Sequence, residues 1–243
     1  MKIDILAIGI HPDDVELSCS GTLLRHIHQG KTVGLLDLSA GELGTRGNAG
    51  QRKKEAAKAA EMMGARFREM LDLADGFFQN NRESLLKIIR IIRKYRPEIV
   101  LANALEDRHP DHGRAAKLVA DACFYSGLAK IETFEDSLTP QSRWRPKALY
   151  HYIQDFNLKP DFVVDISEFM DKKLELVLAF ESQFFNPDKK EFEKELQTPI
   201  SGKDFMDFIK SKAASYGRVA GFQYAEGFNV ARTPGLEDLF QLK

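Results

Sequence analysis

The chain has 243 residues, 43% of them hydrophobic, and its 35 lysines and arginines nearly balance 36 aspartates and glutamates. That content is enough for a substantial core, and the length fits one domain, which we predict over residues 1–243. Basic residues are scattered rather than clustered, so no nucleic-acid partner is predicted. No apolar stretch approaches the ~20 residues that cross a bilayer, and the N-terminus lacks signal-peptide features. We therefore expect a cytoplasmic protein without membrane attachment, in which Cys19 and Cys123 stay reduced.

Strands and helices alternate along most of the chain. Apolar runs predict strands at residues 3–10, 32–38, 68–73, 99–102, 148–153 and 162–166. Helical spacing of apolar residues, with glycine and proline stop signals, predicts helices at residues 15–28, 51–63, 82–95 and 112–124, and the remainder is predicted to be mostly helical. Such alternation is typical of an α/β protein with a Rossmann-like, doubly wound, mostly parallel sheet in three α/β/α layers. Residues 186–202, with two prolines and many charges, are interpreted as a surface excursion.

Two short clusters follow predicted strands, residues 11–14 (HPDD) after the first and residues 109–112 (HPDH) after the fourth. Loops at the carboxyl ends of parallel strands open onto one edge of the sheet, so the two clusters can converge on one site. A nucleotide is disfavoured at the first turn, because the glycine spacing is wrong and two carboxylates would repel a phosphate. Imidazole and carboxylate together favour zinc or ferrous iron over magnesium or calcium, which prefer oxygen ligands.

A catalytic zinc site uses three protein ligands and keeps one position open. We predict His11, Asp14 and His112 as the ligands, since each lies at a strand end or in the first turn of a following helix. Asp13 is then available as the general base for the attacking water.

The rest of the distal cluster has its own predicted roles. His109, held by Asp111, can stabilise an oxyanion and protonate a leaving amine. The ordinary alternatives are that Asp13 and Asp14 only cap a helix and that the histidines lie in a surface loop. Two clusters with the same His-Pro-Asp pattern at two strand ends favour the metal site.

A glycine-rich segment after the second strand is expected to form a mobile rim of the site. Glu42, Arg46 and Asn48 in this segment are candidate substrate contacts, and a solvated loop without a role is the alternative for Arg46. Arg52 follows at the start of a helix, and its forked guanidinium suits a substrate carboxylate. The alternative for Arg52 is an ion pair with Glu55 on the helix surface.

The two clusters resemble the signatures of the PIG-L/LmbE-like N-acetylglucosaminyl deacetylases. The match extends through residues 41–47 (GELGTRG), 181–183 (ESQ) and 224–228 (YAEGF), and so covers essentially the whole chain. The last two segments are most similar to the bacterial branch that makes bacillithiol, whose deacetylase acts on N-acetylglucosaminyl-malate. The resemblance implies the same ligands and base as above, with Zn²⁺ as the ion and Fe²⁺ as the alternative.

The resemblance also implies how the substrate is held. It places Arg52 in the substrate pocket and His109 at the tetrahedral intermediate. The expected partner is a small-molecule N-acetylglucosaminide, and we expect Arg46, Arg52 and Arg108 to gather around the dicarboxylate of a malate aglycone. The resemblance further implies a homo-oligomer, a hexamer with the C-terminal third forming much of the contact surface.

Other classes of function stay open at this point. A relative acting on chitooligosaccharides would use the same chemistry on another aglycone. A mononuclear non-heme iron oxygenase also uses two histidines and a carboxylate, but does not need Asp13 and a second His-Asp pair beside the metal. A sugar-binding module would not need an open metal position, and a dinuclear phosphoesterase would need more ligands.

Overall fold

The computed structural model describes residues 1–136, 138–185, 196–238 and 240. Its seven strands form one sheet in the order β3-β2-β1-β4-β5-β7-β6. The strands are β1 (Ile5–Gly9), β2 (Val33–Asp37), β3 (Phe67–Met70), β4 (Ile99–Ala102), β5 (Ala148–Tyr152), β6 (Phe162–Asp165) and β7 (Ala225–Val230). The helices are α1 (Asp14–His28), α2 (Ala49–Met63), α3 (Arg82–Tyr95), α4 (Pro110–Tyr125), α5 (Met170–Leu178) and α6 (Phe205–Ala220). The predicted Rossmann-like, mostly parallel sheet is confirmed.

The order of the strands places a crevice between β1 and β4. β1 pairs in parallel with β2 on one side and with β4 on the other. The chain winds outward from β1 to β3 and then returns to β4, so the winding direction reverses between β1 and β4. In open α/β sheets, ligands bind outside the carboxyl ends of the strands at such a switch point. The two His-Pro-Asp clusters follow these two strands.

Both faces of the parallel strands are covered. Leu6 and Ile8 of β1 pack in the core beneath α3 and α4, whereas Ile5 and Ala7 pack beneath α1 and α2. Successive strand residues face opposite sides of a sheet, so a strand covered on both sides needs apolar residues throughout. This is why β1 is a continuous apolar run.

Local signals set the helix starts that frame the crevice. His109 occupies the N-cap position of α4 and Pro110 its first turn, where proline costs no backbone hydrogen bond. Asn48 caps α2 by accepting a hydrogen bond from the backbone N–H of Gln51. These caps fix where the first turns of α2 and α4 begin, and therefore where Arg52 and His112 lie.

The prediction that the chain after residue 166 is mostly helical is wrong at β7. This strand lies antiparallel between β5 and β6. Its sequence, AEGFNV, interrupts the apolar pattern with Glu226 and Gly227, so it gave no strand signal. Of the predicted excursion, residues 186–195 lie outside the described residues.

The remaining expectations about the chain concern membranes and cysteines. Among the described residues, no helix is long and apolar enough to cross a membrane. Cys19 and Cys123 are both buried and unpaired.

Candidate active site

The two His-Pro-Asp clusters meet at the carboxyl ends of β1 and β4. The ring centroid of His109 lies 4.7 Å from that of His11 and 5.2 Å from that of His112. Asp14, in the first turn of α1, lies between the rings of His11 and His112. Its Oδ1 is 3.2 Å from His112 Nε2, and its Oδ2 is 3.8 Å from His11 Nδ1. Two imidazoles and one carboxylate thus direct donor atoms toward one another.

In His11 and His112, the ring nitrogen farther from Asp14 is hydrogen-bonded to a carboxylate that the sequence did not predict. His11 Nε2 lies 3.0 Å from Asp75 Oδ1, and His112 Nδ1 is hydrogen-bonded to Asp107. Burial alone would lower the pKa of both rings, but Asp14 and these partners raise the pKa of His11 to about 10 and that of His112 to about 9. The surroundings therefore stabilise positive charge at this point, as a cation site must.

The donor atoms fit a divalent transition metal. Atoms within 4.8 Å of one another come from two sets of described residues: His11, His109 and His112, and His11, Asp75 and Asp111. Metal-binding histidines usually donate their second N–H to a carboxylate, which fixes the ring. His11 and His112 have such a carboxylate. Among the described residues His109 has none, and its Nδ1 accepts a bond from the backbone N–H of Asp111. This carboxylate support distinguishes His11 and His112, which both lie next to Asp14, from His109.

Asp14 is fixed from three sides. Its Oδ2 accepts hydrogen bonds from the backbone N–H of His11 at 2.9 Å and from Asn103 Nδ2 at 2.8 Å. Its Oδ1 accepts from Gln154 Nε2 at 3.1 Å. Asp13, at the N-cap of α1, makes no capping hydrogen bond with its side chain. The capping alternative for these two carboxylates is therefore not what the structure shows.

Asp13 is buried beside the cluster and is held by Arg52. Arg52 Nη2 donates to Asp13 Oδ1 at 3.0 Å, and its Nη1 donates to the carbonyl of Gly41 at 3.1 Å. A Cβ at Gly41 would lie 2.0 Å from Nη1, so this contact requires glycine. The Nε–H of Arg52 has no hydrogen-bond partner among the described residues. The alternative ion pair with Glu55 is wrong, because Glu55 accepts bonds from Ser182 instead.

The carboxylate of Asp111 does not hold His109 as expected. Its Oδ2 accepts from the backbone N–H of Gly76 at 2.8 Å and lies 3.8 Å from His11 Nε2. In the first turn of α4 it is the backbone N–H of Asp111 that meets His109, the residue that caps the helix. Burial, together with positive charge at His11 and His112, lowers the pKa of His109. Since Nδ1 accepts a bond, the neutral ring carries its proton on Nε2.

The expected gathering of Arg46, Arg52 and Arg108 is wrong. Arg46 is buried, and it donates from Nε to the carbonyl of Ser182 and from Nη1 to that of Leu196, both at 3.0 Å. It does not line the cavity that holds the histidines. The segment around Arg46 packs against the chain that follows α5, and backbone carbonyls there accept the hydrogen bonds of the guanidinium. The residues around Arg46 in the sequence could not predict this contact, because its partners Ser182 and Leu196 are more than 130 residues away.

The other predicted substrate contacts are spread around the site. Arg108 lines the cavity, and its Nε donates to Asp155 Oδ2 at 2.9 Å. Glu42 is exposed and accepts from the backbone N–H of Asp75 at 2.9 Å. Asn48 is exposed and serves as the cap of α2. Of these, only Arg108 lines the cavity.

The cavity has a volume of about 360 Å³. Exposed side chains mark the mouth, among them Leu43 at 60% and Phe208 at 42% exposure. The cavity is also lined by α1, α5, α6 and β7, and most of the lining residues on these elements are buried. Arg108 and the three histidines therefore face the same cavity.

Comparison with known proteins agrees with this geometry. The family model described as PIG-L, GlcNAc-PI de-N-acetylase, matches residues 6–123, which include both clusters. A diacetylchitobiose deacetylase of Thermococcus kodakarensis is 32% identical over 96% of this chain and 84% of its own length. The chain belongs to the PIG-L family.

Two further relatives of this PIG-L protein show how far the likeness reaches. A conserved protein of Thermus thermophilus superposes with a TM-score of 0.82 and 34% identity over 98% of both chains. A 4-oxalmesaconate hydratase of Pseudomonas putida is 26% identical over 73% of both chains. Since proteins of one fold can differ in reaction, the fold alone does not determine the function of this chain.

Proposed function

We propose that the chain is a metal-dependent N-deacetylase that removes the acetyl group from N-acetylglucosamine conjugates. The observation that carries the proposal is the pairing of a metal-ligand set with Asp13, a buried carboxylate that Arg52 holds at the same cavity. Membership of the PIG-L family and the related diacetylchitobiose deacetylase support it. We propose His11, Asp14 and His112 as ligands of Zn²⁺, and Fe²⁺ suits the same donors.

The residues of the chain divide the reaction between them. A bound divalent cation polarises the acetamide carbonyl and acidifies water. Asp13 accepts the proton of the attacking water, while Arg52 fixes its Oδ1. His109 donates a hydrogen bond from Nε2 to the developing oxyanion. Because that neutral ring has no second proton to give, the proton on Asp13 passes to the sugar nitrogen as the C–N bond breaks. This replaces the expected role of His109 as the acid for the amine.

Within this class we propose N-acetylglucosaminyl-malate as the substrate. The resemblance of residues 181–183 and 224–228 to the bacillithiol branch supports a malate aglycone, and Arg108 at the mouth offers a cation for it. The related diacetylchitobiose deacetylase supports a second sugar as the aglycone instead. A matched assay of the malate conjugate, diacetylchitobiose and free N-acetylglucosamine distinguishes them.

The experiment follows acetate release by the zinc-loaded protein on those three substrates. We expect the malate conjugate to have the highest kcat/KM, and Arg108→Ala to lower it about tenfold, as for loss of a charge-assisted contact, while leaving diacetylchitobiose unaffected. Higher efficiency on diacetylchitobiose would keep the deacetylase and reject malate. Oxygen uptake or hydration of a carbon–carbon double bond without acetate release would reject the deacetylase, in favour of an oxygenase or of the reaction named for the Pseudomonas relative.

We also propose that the protein is a homo-oligomer, by resemblance a hexamer that uses the C-terminal third as contact surface. Light scattering at micromolar concentration tests this. A monomer of 27.5 kDa would reject it.

A further inference from the structure

The segment of residues 154–156 has no regular secondary structure and lies against the proposed metal ligands. It begins just beyond β5, and its first residue, Gln154, lines the cavity. Gln154 Nε2 donates to Asp14 Oδ1 at 3.1 Å and lies 3.4 Å from His112 Nε2. One side chain of this segment therefore contacts two of the three proposed ligands.

Backbone hydrogen bonds determine the orientation of the Gln154 amide. Its Oε1 accepts from the backbone N–H of Ala104 at 3.1 Å and from Asn103 Nδ2 at 2.9 Å. Asn103 Oδ1 in turn accepts from the backbone N–H of Ile10 at 3.0 Å. Because a backbone N–H can only donate, both amide oxygens are fixed at these donors, and both NH₂ groups are left to face Asp14. The carboxylate of Asp14 is thus held by two amides that the ends of β1 and β4 orient.

The backbone of the segment is held by a lysine of α6. Lys212 Nζ donates to three consecutive carbonyls, those of Gln154, of Asp155 at 3.2 Å and of Phe156 at 2.9 Å. An ammonium group has three N–H donors, so these bonds use all of them. Carbonyls in a loop have no partners from a helix or a sheet, so side-chain donors must hold them. Lys212 therefore fixes where the segment lies, and with it Gln154.

A second contact of the segment reaches the carboxylate that supports His112. The backbone N–H of Phe156 donates to Asp107 Oδ1 at 2.8 Å, and Asp107 Oδ2 is hydrogen-bonded to His112 Nδ1. The segment thus supports His112 through Asp107 and Asp14 through Gln154. Groups that hydrogen-bond to metal ligands fix their orientation, and their mutation typically costs about ten- to a hundredfold in metal affinity or activity.

We propose that residues 154–156 form a clamp on the metal site, and that Gln154 and Lys212 are positioning residues for its ligands. The inference rests on the proposed ligands of the same site. Gln154 holds the carboxylate of Asp14, and Lys212 holds the segment from a helix that follows it by 56 to 58 residues in the sequence. Neither side chain is a proposed ligand, so its loss should weaken cation binding without abolishing it.

The test measures the affinity of the metal-free protein for Zn²⁺ by competition with a chromophoric chelator, which needs no substrate. Gln154→Met keeps the length of the side chain and removes its hydrogen-bonding groups, so we expect the dissociation constant for Zn²⁺ to rise about ten- to a hundredfold. Lys212→Met should raise it about tenfold. Lys212→Arg keeps a cation with several N–H donors and should lose less affinity than Lys212→Met. Arg218→Met, at an exposed position of α6, is the control and should leave the affinity unchanged.

A double variant tests whether Lys212 acts through the segment. Since Gln154→Met and Lys212→Met then affect one element, their combined effect on affinity should be at least about threefold smaller than the product of the separate effects. Separate effects that multiply would overturn the role of Lys212. A merely structural role would lower the unfolding midpoint of the metal-free protein and leave the Zn²⁺ affinity of the folded protein unchanged.

The possible outcomes separate the clamp from the proposed function. Affinity for Zn²⁺ within about threefold of the wild type in both Gln154→Met and Lys212→Met overturns the clamp, even in a protein that releases acetate. Weaker binding in both variants supports the clamp, even if no conjugate is deacetylated. A wild type that binds no Zn²⁺ overturns both. Circular dichroism verifies that each variant is folded, and Gln154→Asn, which withdraws the amide from Asp14 by one methylene group, replaces Gln154→Met if that variant does not fold.

Discussion

The parallel half of the sheet and the C-terminal part contribute different things to one cavity. Strands β1 to β4 and the helices between them carry the proposed ligands and the base, each within a few residues of a strand end. Helices α5 and α6 and strand β7 contribute further residues that line the same cavity. Strand topology thus positions the reacting groups, whereas packing of the later elements shapes the rest of the cavity. Mutations in the two regions should therefore fail in different ways.

The largest expected effect separates the base from the ligands within the parallel half. Asp13→Asn should lower kcat about 10³-fold and retain the metal, because it removes the proton acceptor without removing a ligand. His112→Ala should lose metal and activity together. Metal stoichiometry and acetate release measured on the same samples decide this, with Asp72→Asn, whose side chain is 81% exposed, as control. If Asp13→Asn lost the metal while Asp14→Asn kept metal and activity, the two roles would be reversed.

A pH effect on stability should also arise in the parallel half. Burial raises the pKa of Glu16 to about 7 from 4.5, although Arg68 lowers it. Arg68 also donates to the carbonyl of Pro12 in the first His-Pro-Asp cluster. Because the pKa of Glu16 is higher in the folded than in the unfolded protein, its protonation adds to the free energy of unfolding. This contribution is fully present below pH 4.5 and is lost as the pH rises through about 7.

The matching variant is Glu16→Gln, which does not titrate. We expect the free energy of unfolding of the wild type, minus that of Glu16→Gln, to fall by up to about 3 kcal/mol between pH 4.5 and 8. Denaturant unfolding at several pH values measures it, with the exposed Glu132→Gln as control. A difference that does not change with pH would contradict the account.

Arg52 tests whether the guanidinium positions the base or binds the aglycone. Since Arg52 holds Asp13, Arg52→Ala should lower kcat by about ten- to a hundredfold on the malate conjugate and on free N-acetylglucosamine alike. Steady-state kinetics on both substrates give the comparison, and the exposed Arg66→Ala should change neither. A rise in KM confined to the malate conjugate would instead make Arg52 a contact of the substrate carboxylate.

Arg46 should show the smallest effect on activity and a clear effect on stability. Arg46→Met leaves the carbonyls of Ser182 and Leu196 without their donor, so we expect a loss of about 2 kcal/mol in the free energy of unfolding. The kcat/KM of the folded variant should stay within about threefold of the wild type. Urea unfolding and kinetics on the same preparation measure both. Unchanged stability with a large loss of kcat/KM would return Arg46 to the substrate site.

The sequence predicted the parallel half well, because its signals are local. A continuous apolar run such as β1 predicts a covered strand, and a cluster that follows it must lie at the sheet edge. β7 could not be predicted in this way. It lies antiparallel to its neighbours. Glu226 within it accepts hydrogen bonds from Lys173 and from backbone N–H groups of α1, and these partners are far from it in sequence.

The positions that support the site were missed for the same reason. Asp75 and Asp107 are single carboxylates in loops, and nothing near them in sequence shows that they meet His11 and His112. Asn103 gave a weak signal, since it directly follows β4 at the sheet edge, but its bond to Asp14 depends on the pairing of β1 with β4. Gln154, just beyond β5, likewise needed the strand order to be known.

The most direct test of the central claim is acetate release from an N-acetylglucosamine conjugate by chelator-treated protein titrated with Zn²⁺. We predict no release without metal and full turnover at one ion per chain, held by His11, Asp14 and His112. Turnover that is indifferent to chelation, or metal-loaded protein that releases no acetate from any such conjugate, would contradict it.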